Sequence, residues 1–468
     1  MSPSAASGPQ GMPGGAASLA GAKRRFSFNA ACNVAGFLTQ IVSAFVVTPI
    51  VVHGLGNLQY GIWGLIGQTV TSMDLLDFGL GIAVTRFLAH HHARDDRAEM
   101  GRMVSTALAF SILPVCIMLL GGAGLAWMAP RWFHTPAALD REVRLAVMLI
   151  AAAVAAMVPG SLLGSAVPAL SRYDLLTLRN TFWIAVRAVL YWLILRWGYG
   201  LVGMAGVTLA VELLALGLGA WLAHRLIPWL RLSWRFVSRR TLRPLLTFSG
   251  FAFLLTISTR VIFGCDNIVV GWALGPLAVA FYAVAGGLAD QLRQSTKILT
   301  TLYSALATQI HALEGSEAMQ RLFLTGSRLA FLLVLPGCIG LVLLGPQFLQ
   351  LWLGAAYRQH SSAILVLLTL TVASFALATS CTQILYGMNR HRYNAAVSLL
   401  EAAANLGLSI GLVRTFGAVG VAWGTAVPAV VFEAVVLPLV TVRQVHLSAR
   451  AYYDRVVARP LWVSAPLI

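Results

Sequence analysis

Charged residues make up only 10% of this chain, and acidic ones are the scarcer kind, with 16 Asp and Glu in 468 residues. A water-soluble surface needs about a quarter of its residues charged, so an ordinary soluble domain is excluded. Cysteine is sparse too. Cys32, Cys116, Cys265, Cys338 and Cys381 all fall in or beside apolar runs and none forms a C-x-x-C pair, so neither disulfides nor a zinc site are expected. The adjacent His90, His91 and His92 lack the i, i+4 spacing of helical ligands, and no metal or other cofactor is expected. Alternating ten-residue strand patterns are missing, which removes a membrane β-barrel. No catalytic constellation stands out, and the chain is not read as an enzyme.

What the sequence has in quantity is long apolar stretches: 58% of residues are hydrophobic and the mean hydropathy is +0.79. Lipid satisfies no backbone hydrogen bond, so apolar runs of about 20 residues must span as helices. A first span from about residue 26 to 52 and further spans near 59–87, 103–128, 143–168, 175–197, 202–224, 247–272, 277–303, 322–345, 362–386, 395–414 and 418–442 give twelve in all. The expected class is an all-α polytopic membrane protein. Residues 1–25, rich in Ala, Gly, Ser and Pro and ending in Lys23, Arg24 and Arg25, read as a disordered cytoplasmic tail, and 443–468 as a second cytoplasmic tail.

Basic residues mark the inner face of such a protein. With the amino end inside, only Arg131, Arg141, Arg144, Arg196, Arg358 and Arg414 of the 33 basic residues fall in outer loops. The net charge of +17 is therefore a topology signal plus attraction to anionic membrane lipids. Its dispersal among loops argues against nucleic acid.

The chain repeats itself. Leu55-Gly56-Asn57-Leu58 before the second span matches Leu274-Gly275-Pro276-Leu277 before the eighth, and Arg172-Tyr173 matches Arg392-Tyr393. Tyr199-Gly200 with Gly203 likewise matches Phe416-Gly417 with Gly420. The spacing predicts two six-helix halves, 26–227 and 246–442, joined by a cytoplasmic linker over 228–245 and related by an axis along the membrane normal.

Charges inside the spans are the candidate functional groups, because they persist where they face a bundle interior or a wet cavity. The second span carries Asp74, Asp77 and Arg86, and the seventh Arg260 and Asp266. The eighth carries Asp290, Arg293 and Lys297, whose i, i+3, i+7 spacing puts them within an arc of about 60°. Arg293 could instead simply pair with Asp290, and Asp77 could mark a kink at Gly79 and Gly81. Arg187, Glu212, Glu401 and Glu433 read chiefly as ties between helices, with ion coupling as the alternative.

Tyr60-Gly61-Ile62-Trp63, Leu75-Leu76-Asp77-Phe78-Gly79-Leu80-Gly81 and Thr85-Arg86 together resemble the second-helix signature of the polysaccharide (O-antigen, Wzx-type) flippases. These belong to the multidrug/oligosaccharidyl-lipid/polysaccharide exporter superfamily. The resemblance implies a MATE-like fold in a bacterial cytoplasmic (inner) membrane, with both termini cytoplasmic. It also implies alternating-access translocation of undecaprenyl-diphosphate-linked oligosaccharide for O-antigen, capsule or exopolysaccharide synthesis. A polysaccharide polymerase and a chain-length regulator are candidate partners. On that substrate Arg260, Arg293 and Lys297 are expected to bind the diphosphate. Asp74, Asp77, Arg86, Asp266 and Asp290 are expected to gate or couple, with Asp74 and Asp77 facing the eighth-span stripe across the cavity. A lipid II-type flippase or a cation-coupled multidrug exporter of the same superfamily are the alternatives. The topology predicts that cysteines placed in 228–245 react only with reagents on the cytoplasmic side; labelling from outside would overturn the twelve-span arrangement.

Overall fold

The computed structural model describes residues 15–464 apart from 78, 171, 229–231, 239, 243–244, 246–259, 261, 263, 297–302, 304–306, 308–309, 311–314 and 389. Side chains are described from Ala35 onward, a few single positions such as Asp74 excepted. Lys297 and most of the seventh span lie outside the described residues.

The described residues are helical almost throughout. The long elements are α1 (Gly15–Thr71), α2 (Leu80–Ala93), α3 (Arg97–Trp132) and α4 (Asp140–Gly164). After the one-turn α5 (Ala166–Ala169) come α6 (Tyr173–Arg196), α7 (Gly200–Leu226), α8 (Asp266–Leu274) and α9 (Pro276–Ser295). The chain continues through α10 (Gly315–Leu353), α11 (Ala355–Gly387), α12 (His391–Pro428) and α13 (Leu437–Gln444), and ends in α14 (Ala449–Tyr453) and α15 (Arg459–Ser464). Among the described residues, eight helical stretches are long and apolar enough to cross a membrane. Two of them hold a reversal, as two expected spans joined at a glycine require.

Those reversals carry the repeat. Gly56 interrupts α1 at φ 73°, ψ 165°, and its counterpart Gly275 sits between α8 and α9 at φ 83°, ψ 176°. Both lie in a region that only glycine enters cheaply, which is why the Leu-Gly dipeptide recurs. Gly200 (φ 53°) and Gly417 (φ 61°) form the second matched pair. After Gly417 the chain folds back on itself: a Cβ on Gly424 would lie 2.5 Å from the Ser409 amide nitrogen. The eighth span is thus entered as expected, and the twelve-span count is consistent with the described elements.

The second span is not one continuous helix. A 3₁₀ segment over Ser72–Asp77 and a left-handed Gly79 (φ 71°, ψ 23°) separate α1 from α2, so the kink foreseen at Gly79 is present. At the ends, α1 begins at Gly15, inside the stretch read as a tail, and the carboxyl-terminal stretch is helical over 449–464. Tyr452 and Val456 there are buried against Phe323 of α10 and Cys381 and Leu385 of α11.

The two halves meet in one core, where Ile62, Leu65, Ile66 and Val70 of α1 pack with Val279, Tyr282, Ala285 and Leu288 of α9. Small residues bring the backbones together. A Cβ on Gly61 would stand 1.8 Å from the Pro276 carbonyl oxygen, and one on Gly64 would touch Val279 and Ala283. Beside this contact the Tyr357 hydroxyl donates to Asn57 Oδ1 (3.0 Å) and Trp352 Nε1 donates to the Phe45 carbonyl (3.1 Å). The turns at Gly56, Gly200, Gly275, Gly354 and Gly417 share this end of the bundle, with Gln59 against Gly200 and Leu274 against Gly417.

At the opposite end the linker is strapped to α3. Ser233 N–H donates to Ser105 Oγ (3.2 Å), Ser238 N–H to Thr106 Oγ1 (3.2 Å) and Thr241 Oγ1 to Glu99 (3.3 Å). The close contact yields a test. Gly61→Val should sharply reduce folded protein in detergent-solubilised membranes, because the obstructing atom is backbone, whereas Gly124→Ala, with nothing within 4 Å, should leave abundance and thermal stability unchanged.

Candidate functional site

Two large cavities lie inside the bundle. The first, about 750 Å³, is walled by Arg260, Ile262, Gly264, Asp266 and Asn267, by Gln68 of α1, by α9, α11 and α12, and by the π-helical stretch Ala429–Val436 that continues α12. Its lining runs from Asp266 and Tyr282 near the clasped end to Gln383, Tyr386 and Asn394 near the other. Arg260 and Arg293 both line it, and so do Asp266 and Asp290. Four of the expected charged groups therefore share one space.

Arg293 and Asp290 are in direct contact as an i, i+3 ion pair, and Gln294 Nε2 approaches the other Asp290 oxygen at 3.4 Å. The Arg293 guanidinium also lies 5.6 Å from the Phe375 ring centroid, over its face. The pairing and the cavity position coexist. Asp266 is buried; it accepts from the Tyr282 hydroxyl at 2.6 Å and from Thr425 Oγ1 at 2.9 Å. One carboxylate thereby ties α8 to α9 and α12.

Glu401 and Glu433 line the same cavity although both are almost wholly buried. Among the described residues, one oxygen of Asp266, of Glu401 and of Glu433 has no hydrogen-bond donor. Sequence reasoning placed these glutamates chiefly as ties between helices. Here they sit with Asp266 and Asp290, so carboxylates outnumber the two arginines in this space.

The second cavity, about 1080 Å³, belongs to the amino-terminal half. It is bounded by both limbs of α1, by α4, α6 and α7, and by Gln291 of α9. Its charged lining is Arg179, Arg187 and Glu212. Arg187 donates to Glu212 Oε1 at 2.5 Å and Tyr191 Oη lies 2.8 Å from Thr208 Oγ1, two ties between α6 and α7. Arg187 and Glu212 are thus an interhelical pair, as read. Trp63 packs edge-on to Tyr191, their ring centroids 6.1 Å apart, and adds an aromatic wall.

Among the described residues, Asp77 lines a different pocket from Asp290 and Arg293 of the eighth-span stripe it was expected to face. It lines a third, smaller pocket of about 390 Å³ with Thr85, Ser161, Ser165 and Arg179, all in the amino-terminal half. The 3₁₀ turn explains the displacement, since it advances side chains by about 120° per residue rather than 100°. Arg179 and Ser161 also line the second cavity, so the pocket adjoins it. Arg179 was not foreseen as a site residue; the sequence offered only a basic residue near the start of the fifth span. Arg86 is exposed on α2, while the Asp74 side chain and Lys297 lie outside the described residues.

Residues 29–302, more than half of the chain, match the model of a family described as polysaccharide biosynthesis protein. The chain belongs to that family. Among curated proteins it is similar to the uncharacterized membrane protein EpsK of Bacillus subtilis (strain 168), at 23% identity over 427 residues, covering 89% of this chain and 83% of the relative.

The family member's fold also matches solved structures. One is the inward-facing conformation of a multidrug resistance MATE family transporter of the MOP superfamily, with a TM-score of 0.75 at 16% identity, covering 86% of this chain and 94% of that one. Another is the lipid II flippase MurJ in an inward closed conformation, with a TM-score of 0.71 at 10% identity, covering 92% and 90%. At such identities these likenesses establish the fold: a MATE-like multi-pass membrane protein.

The tie between α6 and α7 generates a direct test. Arg187→Met should lower the amount of folded protein, because it leaves Glu212 without its partner inside the bundle. Arg187→Met/Glu212→Gln should recover abundance, measured by size-exclusion fluorescence of a tagged chain. No recovery would show that Arg187 stabilises the bundle by something other than that pair.

Proposed function

We propose that this polysaccharide biosynthesis family member is a flippase that moves undecaprenyl-diphosphate-linked oligosaccharide across the cytoplasmic membrane by alternating access. The observation that carries the reading is the placement of arginines deep inside a membrane bundle: Arg179 and Arg187 in one cavity, Arg260 and Arg293 in the other. A diphosphate suits them, because the guanidinium fork binds phosphate oxygens in pairs. The apolar carrier would stay in lipid while the head group crosses between the halves. Lys297 remains a proposed ligand on sequence grounds alone.

In the same reading the contacts at Gly61, Asn57–Tyr357 and Phe45–Trp352 close the outer end, and the carboxylates Asp74, Asp77, Asp266 and Asp290, with Arg86, bias the inward and outward states. A ligand shifts such an equilibrium only by its differential affinity for the two states. An anionic head group competing for Arg293 would supply that difference by releasing Asp290. A polymerase and a chain-length regulator would receive the product on the outer face.

One observation favours a second reading. Four carboxylates line the first cavity, as would suit a cation-coupled exporter of cationic drugs. Deleting the gene separates the two. The flippase reading expects lipid-linked oligosaccharide to accumulate on the cytoplasmic leaflet and surface glycan to disappear, with drug sensitivity unchanged; increased drug sensitivity with normal glycan would favour the exporter. Complementation with lipid II-flipping activity intact elsewhere distinguishes the lipid II alternative, whose loss would stop wall synthesis instead.

Within the flippase reading, Arg293→Ala should abolish surface glycan at normal protein abundance, and Arg293→Lys should restore only part of it. Asp290→Ala/Arg293→Ala should stay inactive. A fully active double variant would reduce Arg293 to the partner of Asp290.

A further inference from the structure

The π-helical stretch that carries Glu433 has an identifiable cause. In a regular helix the Ala434 carbonyl would accept from the amide of residue 438, but that residue is Pro438 and has no N–H. Upstream, the Leu437 amide reaches back to the Phe432 carbonyl, one residue beyond the α-helical partner. A π turn inserts one residue, about 100° of rotation, between the flanking helical segments. Which side chain of this stretch faces the first cavity therefore depends on the turn being kept, and the one it presents is Glu433.

The carbonyl that Pro438 leaves without its donor is not idle. Tyr453, nineteen residues further on in α14, places its hydroxyl 2.7 Å from the Ala434 oxygen and donates to it. The element that bears Tyr453 is itself held firmly. Ser448 caps it by accepting from Ala451 N–H at 3.1 Å, Tyr452 stacks on Phe323 with ring centroids 5.0 Å apart, and Gln320 Nε2 donates to the Val445 and His446 carbonyls at 2.9 and 3.1 Å. Outside the last span, then, a docked helix reaches back into it through the Tyr453 hydroxyl, which also lies 3.5 Å from the Val435 carbonyl oxygen.

We propose that Tyr453 is a positioning residue: by supplying the donor that Pro438 lacks, it holds the π turn that presents Glu433 to the cavity, so the carboxyl-terminal helix is part of the transport machinery. The proposal rests on the first cavity lying on the transport path, but its primary readout needs no transport.

Membranes containing the full chain are treated with dicyclohexylcarbodiimide, an apolar carboxyl reagent, and modification at Glu433, Glu401 and Asp266 is followed by peptide mass spectrometry. Tyr453→Phe should change the Glu433 rate by about 2- to 10-fold, the range one hydrogen bond supplies, while Glu401 and thermal stability hold. Pro438→Ala restores an N–H to residue 438 and should change Glu433 reactivity by itself, and Tyr453→Phe added to it should then do nothing more.

Arg455→Gln, on the exposed side of the same helical stretch, is the control and should leave all rates unchanged. Unreactive Glu433 in the parent, an unchanged rate in Tyr453→Phe, an equal change at every carboxylate, or additive effects of the two substitutions would each overturn the proposal. Should Pro438→Ala not accumulate, Tyr453→Phe alone decides. A Glu433 rate that shifts in Tyr453→Phe, when the parent protein itself does not move lipid-linked oligosaccharide, would sink the flippase reading and leave this one standing.

Discussion

A bilayer core offers no hydrogen bonds, so every departure from the α-helix inside this chain needs a partner within the protein. That constraint sorts the irregular backbone into two classes. Sharp turns at Gly56, Gly200, Gly275, Gly354 and Gly417 gather at one end, where helices meet and reverse. Among the described residues, irregularity within a span includes the 3₁₀ segment ending at Asp77 and the π segment containing Glu433. Each of those brings an acidic side chain to the wall of a pocket. Backbone disruption and buried charge occur together because a chain that must satisfy stray carbonyls already needs polar surroundings there.

The same constraint shapes how the halves associate. Between membrane helices there is little hydrophobic gain to be had, so association depends on close backbone approach and polar ties. Gly61 against Pro276 gives the approach, and Tyr357 with Asn57 gives a tie a few residues away. Both sit at the clasped end. Further along the bundle the helices diverge around the two cavities: the α3–linker strap binds the connection between the halves, the carboxyl-terminal helix packs on α10, and Gln40 Nε2 of α1 lies 3.5 Å from Gln294 Oε1 of α9.

Much of this fold is legible in the sequence. Spans follow from apolar length alone, and the duplicated Leu-Gly dipeptide is a true backbone repeat because Gly56 and Gly275 adopt nearly the same left-handed geometry. Site membership is less legible, since it depends on helix rotation. The stripe of Asp290 and Arg293 survives because α9 is regular, whereas a 3₁₀ turn that apolar patterning does not reveal sets where Asp77 lies. Glu401 and Glu433 were seen as charges but not as cavity walls. For Glu433 the signal was there in Pro438, five residues on, which removes the amide that would have kept the helix regular.

The charge pattern of the two cavities also constrains how any ligand could be passed between the halves. The amino-terminal cavity presents Arg179 and the Arg187–Glu212 pair, the other presents two arginines among four carboxylates. An anion is therefore attracted more simply to the first than to the second. In the carboxyl-terminal cavity an anion must compete with Asp290 for Arg293, so its binding there is sensitive to whatever neutralises the neighbouring carboxylates. A proton or a cation entering that cavity would strengthen anion binding by removing the competitor, which couples the two without requiring them to touch. A duplicated backbone thus carries two different charge patterns among its described residues, two arginines with one carboxylate in one cavity and two arginines with four carboxylates in the other.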